Sequence, residues 1–130
     1  RGHIAGKDGI YAAALLVEML AVTGKSVSQL YREITDKYGM LYYEDAAFTM
    51  TQARKAELQE KLFVKLEVPD FGNTVEKINR TDGCKVYFTD GSWVICRFSG
   101  TEPLLRMAAE GETQSQARTY IRIWREALGL

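Results

Sequence analysis

Arg97, Ser99, Gly100, Thr101 and Arg106 stand close together in the run Arg97-Phe98-Ser99-Gly100-Thr101-Glu102-Pro103 and just beyond it. Two guanidiniums then flank a short segment rich in hydroxyls and backbone N–H groups. Arg supplies planar, bidentate, permanently charged donors, Ser and Thr add hydroxyl donors, and Gly lets the main chain come close to a bound group. That chemistry is oxyanion reception, and every donor in the stretch suits phosphate. Glu102 and Pro103 fit a loop-shaping role better, because a carboxylate repels an anion and Pro has no N–H to offer. The residues alone leave a plainer alternative open: a Ser-Gly-Thr turn between two strands with solvated arginines on either side.

Other reactive groups are few. His3 is the sole imidazole and, with Lys7, lies at the start of the chain, where a solvated role is the plainer reading. Cys84 and Cys96 are the two cysteines, so no zinc set can be assembled. A two-residue turn at Asp90-Gly91 pairs Thr89 with Ser92, which puts Cys84 opposite Arg97 and Cys96 opposite Lys85. In that register the thiols face opposite sides of the sheet. No disulfide is expected, and both read as structural thiols of a reducing compartment. The same register groups Cys84, Val86, Phe88, Trp93, Ile95 and Arg97 on the core face, with Arg97 at the end of the row, and places Lys85 on the other face.

The elements that must position the cluster follow from periodicity. Asp8 caps a first helix that runs to Gly24, with Ile10, Ala13, Ala14, Val17, Leu20 and Ala21 at spacings of three and four. Ser26 and Gln29 form a capping box for a second helix that stops at Gly39, completing a helical hairpin. Met40 to Met50 reads as a strand or an extended crossing, its alternation of Tyr42, Ala46, Phe48 and Met50 interrupted by Glu44. Thr51 to Leu66 reads as a helix with Ala53, Ala56, Leu62, Phe63 and Leu66 inward. An antiparallel meander follows: 74–80, 84–89, 92–98 and, after the Ser-Gly-Thr loop, 104–110. The chain closes on a helix capped by Thr113 with Gln116 completing a box, burying Ala117, Tyr120, Ile121, Trp124 and Leu128. The fold class is therefore α+β: a four-stranded antiparallel sheet with helices on one face, preceded by the helical hairpin, with the division at 1–39 and 40–130.

Composition bounds the partners. The 130 residues amount to about one domain. Seventeen basic and seventeen acidic residues cancel, which leaves no broad electrostatic footprint for nucleic acid or an anionic membrane surface, so any anion site must be local. The longest apolar run, Tyr11 to Val17, is too short to span a bilayer and no leader pattern opens the chain, so a cytoplasmic location is expected.

The run from Arg97 to Pro103, with Arg106, resembles the R-x-S-G-T-E-P…R signature of the C-terminal domain of the α-D-phosphohexomutases, a family of phosphoglucomutases, phosphomannomutases and phosphoglucosamine mutases. The stretch Arg1-Gly2-His3-Ile4-Ala5-Gly6-Lys7-Asp8-Gly9-Ile10 and the helix after it resemble the end of that family's third domain. The resemblance covers essentially the whole chain. It implies that residues 1–39 are the helical tail of the third domain and 40–130 a phosphate-binding domain of TATA-binding-protein-like fold, with Arg97, Ser99, Gly100, Thr101 and Arg106 holding the non-reacting phosphate of a phosphosugar.

The resemblance also implies a parent enzyme that interconverts hexose 1-phosphate and hexose 6-phosphate through a bisphosphorylated intermediate, using Mg2+ and hexose 1,6-bisphosphate. The family's catalytic serine, its Asp-x-Asp-x-Asp metal loop and its Glu-x-Ser-Gly sugar loop have no counterpart in this sequence. The chain is therefore expected to hold no catalytic residue and no metal, to be inactive alone, and to work with the remaining mutase domains. A stand-alone phosphate-binding or interaction module is the alternative.

Overall fold

The computed structural model describes residues 6–65 and 67–130, so the residues before Gly6, His3 included, and Leu66 lie outside the described residues. The chain divides into two compact units, residues 1–40 and 41–130. In the first, α1 (Gly9–Thr23) starts where the Asp8 carboxylate accepts from the Tyr11 N–H at 2.9 Å and ends at Gly24 in the left-handed region. Glu18 is the one charge on α1, which is apolar around nearly its whole circumference; none of its residues is buried. The capping box forms at α2 (Val27–Tyr38): Ser26 Oγ accepts from the Gln29 N–H, and Gln29 Oε1 accepts from the Ser26 N–H. The axes of α1 and α2 are bent by 86°. No single described helix is long and apolar enough to cross a membrane.

The second unit is built on an antiparallel sheet of β1 (Tyr42–Thr49), β2 (Val75–Asn79), β3 (Cys84–Phe88), β4 (Trp93–Phe98) and β5 (Leu104–Gly111), in the order β1-β5-β4-β3-β2. The fold class is as expected, with one strand more. The segment after Met40 pairs along its full length with β5, from Tyr42 opposite Gly111 to Thr49 opposite Leu104, and becomes an edge strand. Glu44, which breaks the apolar alternation, is half-buried and accepts hydrogen bonds from Gln114 and Arg118. The break in pattern is thus a polar tie between the edge strand and the last helix.

The β3–β4 turn does not take the two-residue form. Thr89, Asp90 and Gly91 make a three-residue loop: Phe88 N–H donates to Ser92 O at 2.9 Å, Gly91 N–H donates to Phe88 O at 3.0 Å, and Gly91 takes φ 85°. Asp-Gly suits this arrangement as well as the tighter turn, because the longer loop also needs a left-handed residue at its end. One added loop residue slides β4 by one position, and the side-chain period of two then exchanges its faces. Cys84 therefore stands opposite Cys96, not Arg97, and Lys85 opposite Ile95. Val94 and Cys96 go inside, while Trp93, Ile95 and Arg97 join Lys85 on the open face. The two thiols share the core face, both free and fully buried.

The core lies between the sheet and two helices, α3 (Gln52–Gln59) and α4 (Gln114–Leu128). Thr113 caps α4, but the Gln116 side chain reaches one residue further back than a box requires and accepts from the Glu112 N–H at 2.8 Å. The stripe Ala117, Tyr120, Ile121, Trp124 and Leu128 is buried as the 3.6-residue period dictates. Phe71 sits edge-on to Phe88, Tyr120 and Trp124 with ring centroids 5.3 to 5.7 Å apart. The helix after Thr51 differs from its expected course. Its inward residues are Leu58 and Leu62, Phe63 is half-buried, and Ala53 and Ala56 are exposed. Beyond Gln59 the chain widens into a π-type turn, Glu60–Val64. Lys61 Nζ donates to Ala127 O at 2.7 Å, so a cation from this segment meets the carbonyl end of α4.

Candidate functional site

β4 and β5 carry the candidate site, and the loop between them is short enough for the strand register to fix its two arginines. The register sets Arg97 directly opposite Arg106, with Cys96 opposite Met107 and Phe98 opposite Leu105 on either side. Since Cys96, Leu105 and Met107 point into the core, Arg97 and Arg106 point out of the opposite face, and both are exposed. The expectation that Arg97 ends the core-face row is thereby corrected. The one-residue slide in the β3–β4 turn moves it to the open face, where its guanidinium is exposed.

The loop is held as a compact turn. Ser99 N–H donates to Leu104 O at 2.8 Å, closing the segment, and Leu104 N–H donates to Glu102 O at 2.8 Å. Ser99 Oγ accepts from the Glu102 N–H at 3.3 Å and lies 3.5 Å from Thr101 Oγ1. Pro103 O accepts from the Met50 N–H at 3.0 Å, which fastens the loop to the end of β1. The backbone N–H groups of Gly100 and Thr101 meet no acceptor among the described residues; of the Ser99 and Thr101 hydroxyls one donates to the other, and the second keeps its proton to donate.

These groups enclose a hollow of about 200 Å³ lined by Arg97, Phe98, Ser99, Gly100, Thr101 and Arg106. A larger depression of about 400 Å³ adjoins it on the open face, sharing Arg97 and Arg106 and bordered by Tyr43, Asp45 and Ile95. All five residues singled out from the sequence are thus brought together around one hollow. Lys7 is exposed on the other unit.

Two residues escape sequence reasoning. Lys55, on α3, donates from Nζ to Ser99 O at 2.7 Å and reaches Glu102 O at 3.4 Å, so it grips the loop from behind through its carbonyls. It reads in sequence as one charge of a solvated face, and no local signal sets it apart. Asp82, in the β2–β3 turn, places Oδ2 3.2 Å from Arg97 Nε. It is legible only as a turn residue, because its meeting with Arg97 depends on strand register.

Chemically the arrangement can receive a compact, multiply charged oxyanion. It offers no nucleophile paired with a base. Among the described residues no group of three or more His, Cys, Asp or Glu side chains converges. The Mg2+ that the resemblance implies for a parent enzyme therefore does not fit the described residues, and no step through it follows from this chain.

Residues 46–125 match the family model described as phosphoglucomutase/phosphomannomutase, C-terminal domain, and residues 1–38 match the one described as alpha/beta/alpha domain III of the same group. The chain is 32% identical over 120 residues to a phosphoglucomutase/phosphomannomutase of Thermococcus kodakarensis, covering 92% of this chain and 24% of the relative. It is 40% identical over 103 residues to a protein of Methanosarcina acetivorans named probable phosphoglucosamine mutase, covering 79% and 21%. Among solved structures, a protein of Thermus thermophilus assigned as a phosphomannomutase superimposes with a TM-score of 0.67 at 22% identity, over 98% of this chain and 24% of that one. The chain spans about a quarter of the length of the curated relatives it matches.

Proposed function

We propose that this chain, which belongs to the phosphoglucomutase/phosphomannomutase family, supplies the substrate-phosphate-binding loop of a phosphohexomutase. Residues 40–130 form the phosphate-binding domain, and residues 1–39 belong to the tail of the domain before it. The observation that carries the reading is the Arg97–Arg106 cross-strand pair beside the N–H groups of Gly100 and Thr101. Like charges directly opposite across a strand pair are destabilising, and a dianion between them converts that repulsion into binding.

In this reading the smaller hollow takes the phosphate and the adjoining depression admits the start of the sugar. Arg97 and Arg106 neutralise the charge, the Gly100 and Thr101 N–H groups and the Ser99 and Thr101 hydroxyls direct the oxygens, and Lys55 keeps the loop in the shape that aims them. The phosphate held here is the non-reacting one. Its binding energy orients the sugar so that the other end meets groups carried elsewhere in a parent chain. That parent interconverts hexose 1-phosphate and hexose 6-phosphate through a bisphosphorylated intermediate with Mg2+, and this chain alone is inactive.

Arg97→Ala and Arg106→Gln in a full-length parent test the reading. Each raises KM and lowers kcat for a hexose phosphate, because the anchored phosphate contributes to orientation as well as to affinity. Unchanged kinetics in both variants contradict it.

A further inference from the structure

We propose that Asp82 is a built-in counter-ion of this site, holding one edge of Arg97 and competing with phosphate for it, so that it lowers the affinity of the loop for its ligand. The inference rests on the phosphate reading of the Ser99–Thr101 loop. Asp82 Oδ2 lies 3.2 Å from Arg97 Nε, and both side chains are more than half exposed. The contact with Asp82 is made at Nε of Arg97, and Arg106 pairs with no carboxylate among the described residues. Asp82 is therefore the carboxylate in direct contact with the opposed arginines, while Asp45 borders the adjoining depression that they line.

The meeting follows from the backbone. Gly83, next to Asp82, has φ 101°, and a Cβ there would come within 2.6 Å of Cys96 O and 3.0 Å of Arg97 Cβ. The absence of that side chain lets the β2–β3 turn lie directly on the main chain of Arg97, which delivers the neighbouring carboxylate to the guanidinium. Against the arginine pair, Asp82 offsets one of two positive charges before phosphate arrives. When a dianion binds, its oxygens face that same carboxylate, and the repulsion opposes binding.

The test titrates the 130-residue chain and its Asp82→Asn variant with inorganic phosphate at constant ionic strength, following the amides of Ser99 to Thr101 and the Arg97 Nε–H resonance. Asn keeps the size of the side chain and suits a turn. D82N is expected to bind phosphate about two- to fivefold more tightly, the range of an exposed ion pair. The Arg97 Nε–H resonance is expected to move on phosphate addition in the parent chain and less in D82N, which lacks the contact to exchange. Glu76→Gln, which removes a carboxylate at the far end of β2, is expected to leave the affinity unchanged. Equal or weaker binding by D82N, or the same gain from E76Q, overturns the counter-ion role while leaving the phosphate reading intact. Loop resonances unmoved in both chains overturn the phosphate reading itself, and the counter-ion role with it.

Discussion

Arg97 and Arg106 face each other as direct partners across β4 and β5, on the side of the sheet away from α3 and α4. Two exposed cations at that spacing gain nothing from each other. Arg106→Gln should therefore leave the stability in phosphate-free, low-salt buffer unchanged or raise it, by up to about 1 kcal/mol. The same variant should lose the rise in melting temperature that added phosphate gives the parent chain. Thermal unfolding with and without phosphate measures both effects, and a large loss of stability in phosphate-free buffer would contradict the assignment.

Lys85 lies on the same face as Arg97, not on the other face where a two-residue turn would put it. What separates them is engagement. The Lys85 ammonium sits 3.7 Å from the Trp93 ring centroid and 4.8 Å from that of Tyr87, while Trp93 Nε1 donates to Glu110. Arg97→Ala should weaken phosphate binding about tenfold or more, the loss of a charge-assisted contact. Lys85→Ala should change it less than about twofold, since only screened long-range attraction is lost. Calorimetric titration of both variants decides between these outcomes.

Lys55→Met keeps most of the length of the side chain and removes the ammonium that holds Ser99 O and Glu102 O. The loop should then exchange its amide hydrogens faster and bind phosphate more weakly, at a cost of about 1 kcal/mol. β3 and α4 should be unaffected, because their burial does not involve Lys55. Hydrogen exchange resolved by residue separates this local loosening from global unfolding.

At the far end of the sheet, Asp90 accepts from Ser92, Asn73 and Gln116, and the Tyr120 hydroxyl joins the same cluster. Burial pushes the Asp90 carboxyl up, but the hydrogen bonds from Ser92, Asn73 and Gln116 outweigh it and hold the group below its ordinary value. A lowered folded-state value means that Asp90 adds stability above the ordinary carboxylate range and that this stability is lost as pH falls through the folded value. Acid unfolding monitored through Trp124 should show that loss in the parent chain. Asp90→Asn should be less stable at neutral pH and flatter towards acid.

The elements with one strong local period were legible: the α4 stripe, the Asp8 and Ser26 caps, and the clustering of Arg97 to Arg106 all follow from residues close in sequence. The β4 register was not, because Trp93, Ile95 and Val94, Cys96 are both apolar alternations and Asp90-Gly91 serves either loop length. Nothing apolar distinguishes the two choices, and the core decides in favour of the smaller side chains. That choice moved Arg97 to the open face and set the cysteines side by side. Burial raises both thiols, Cys96 the more strongly, with Cys84 beside it adding to the shift. Lys55 and Asp82 were invisible as site residues, since each meets the loop only through tertiary packing.

The most direct test of the phosphate-binding loop is a titration of the isotopically labelled chain with a hexose 1,6-bisphosphate, read amide by amide. Shifts are expected to concentrate at Ser99, Gly100 and Thr101 and at the guanidinium resonances of Arg97 and Arg106, with the Asp90 cluster silent. Shifts elsewhere with the loop silent, or no shifts at saturating ligand, would contradict it.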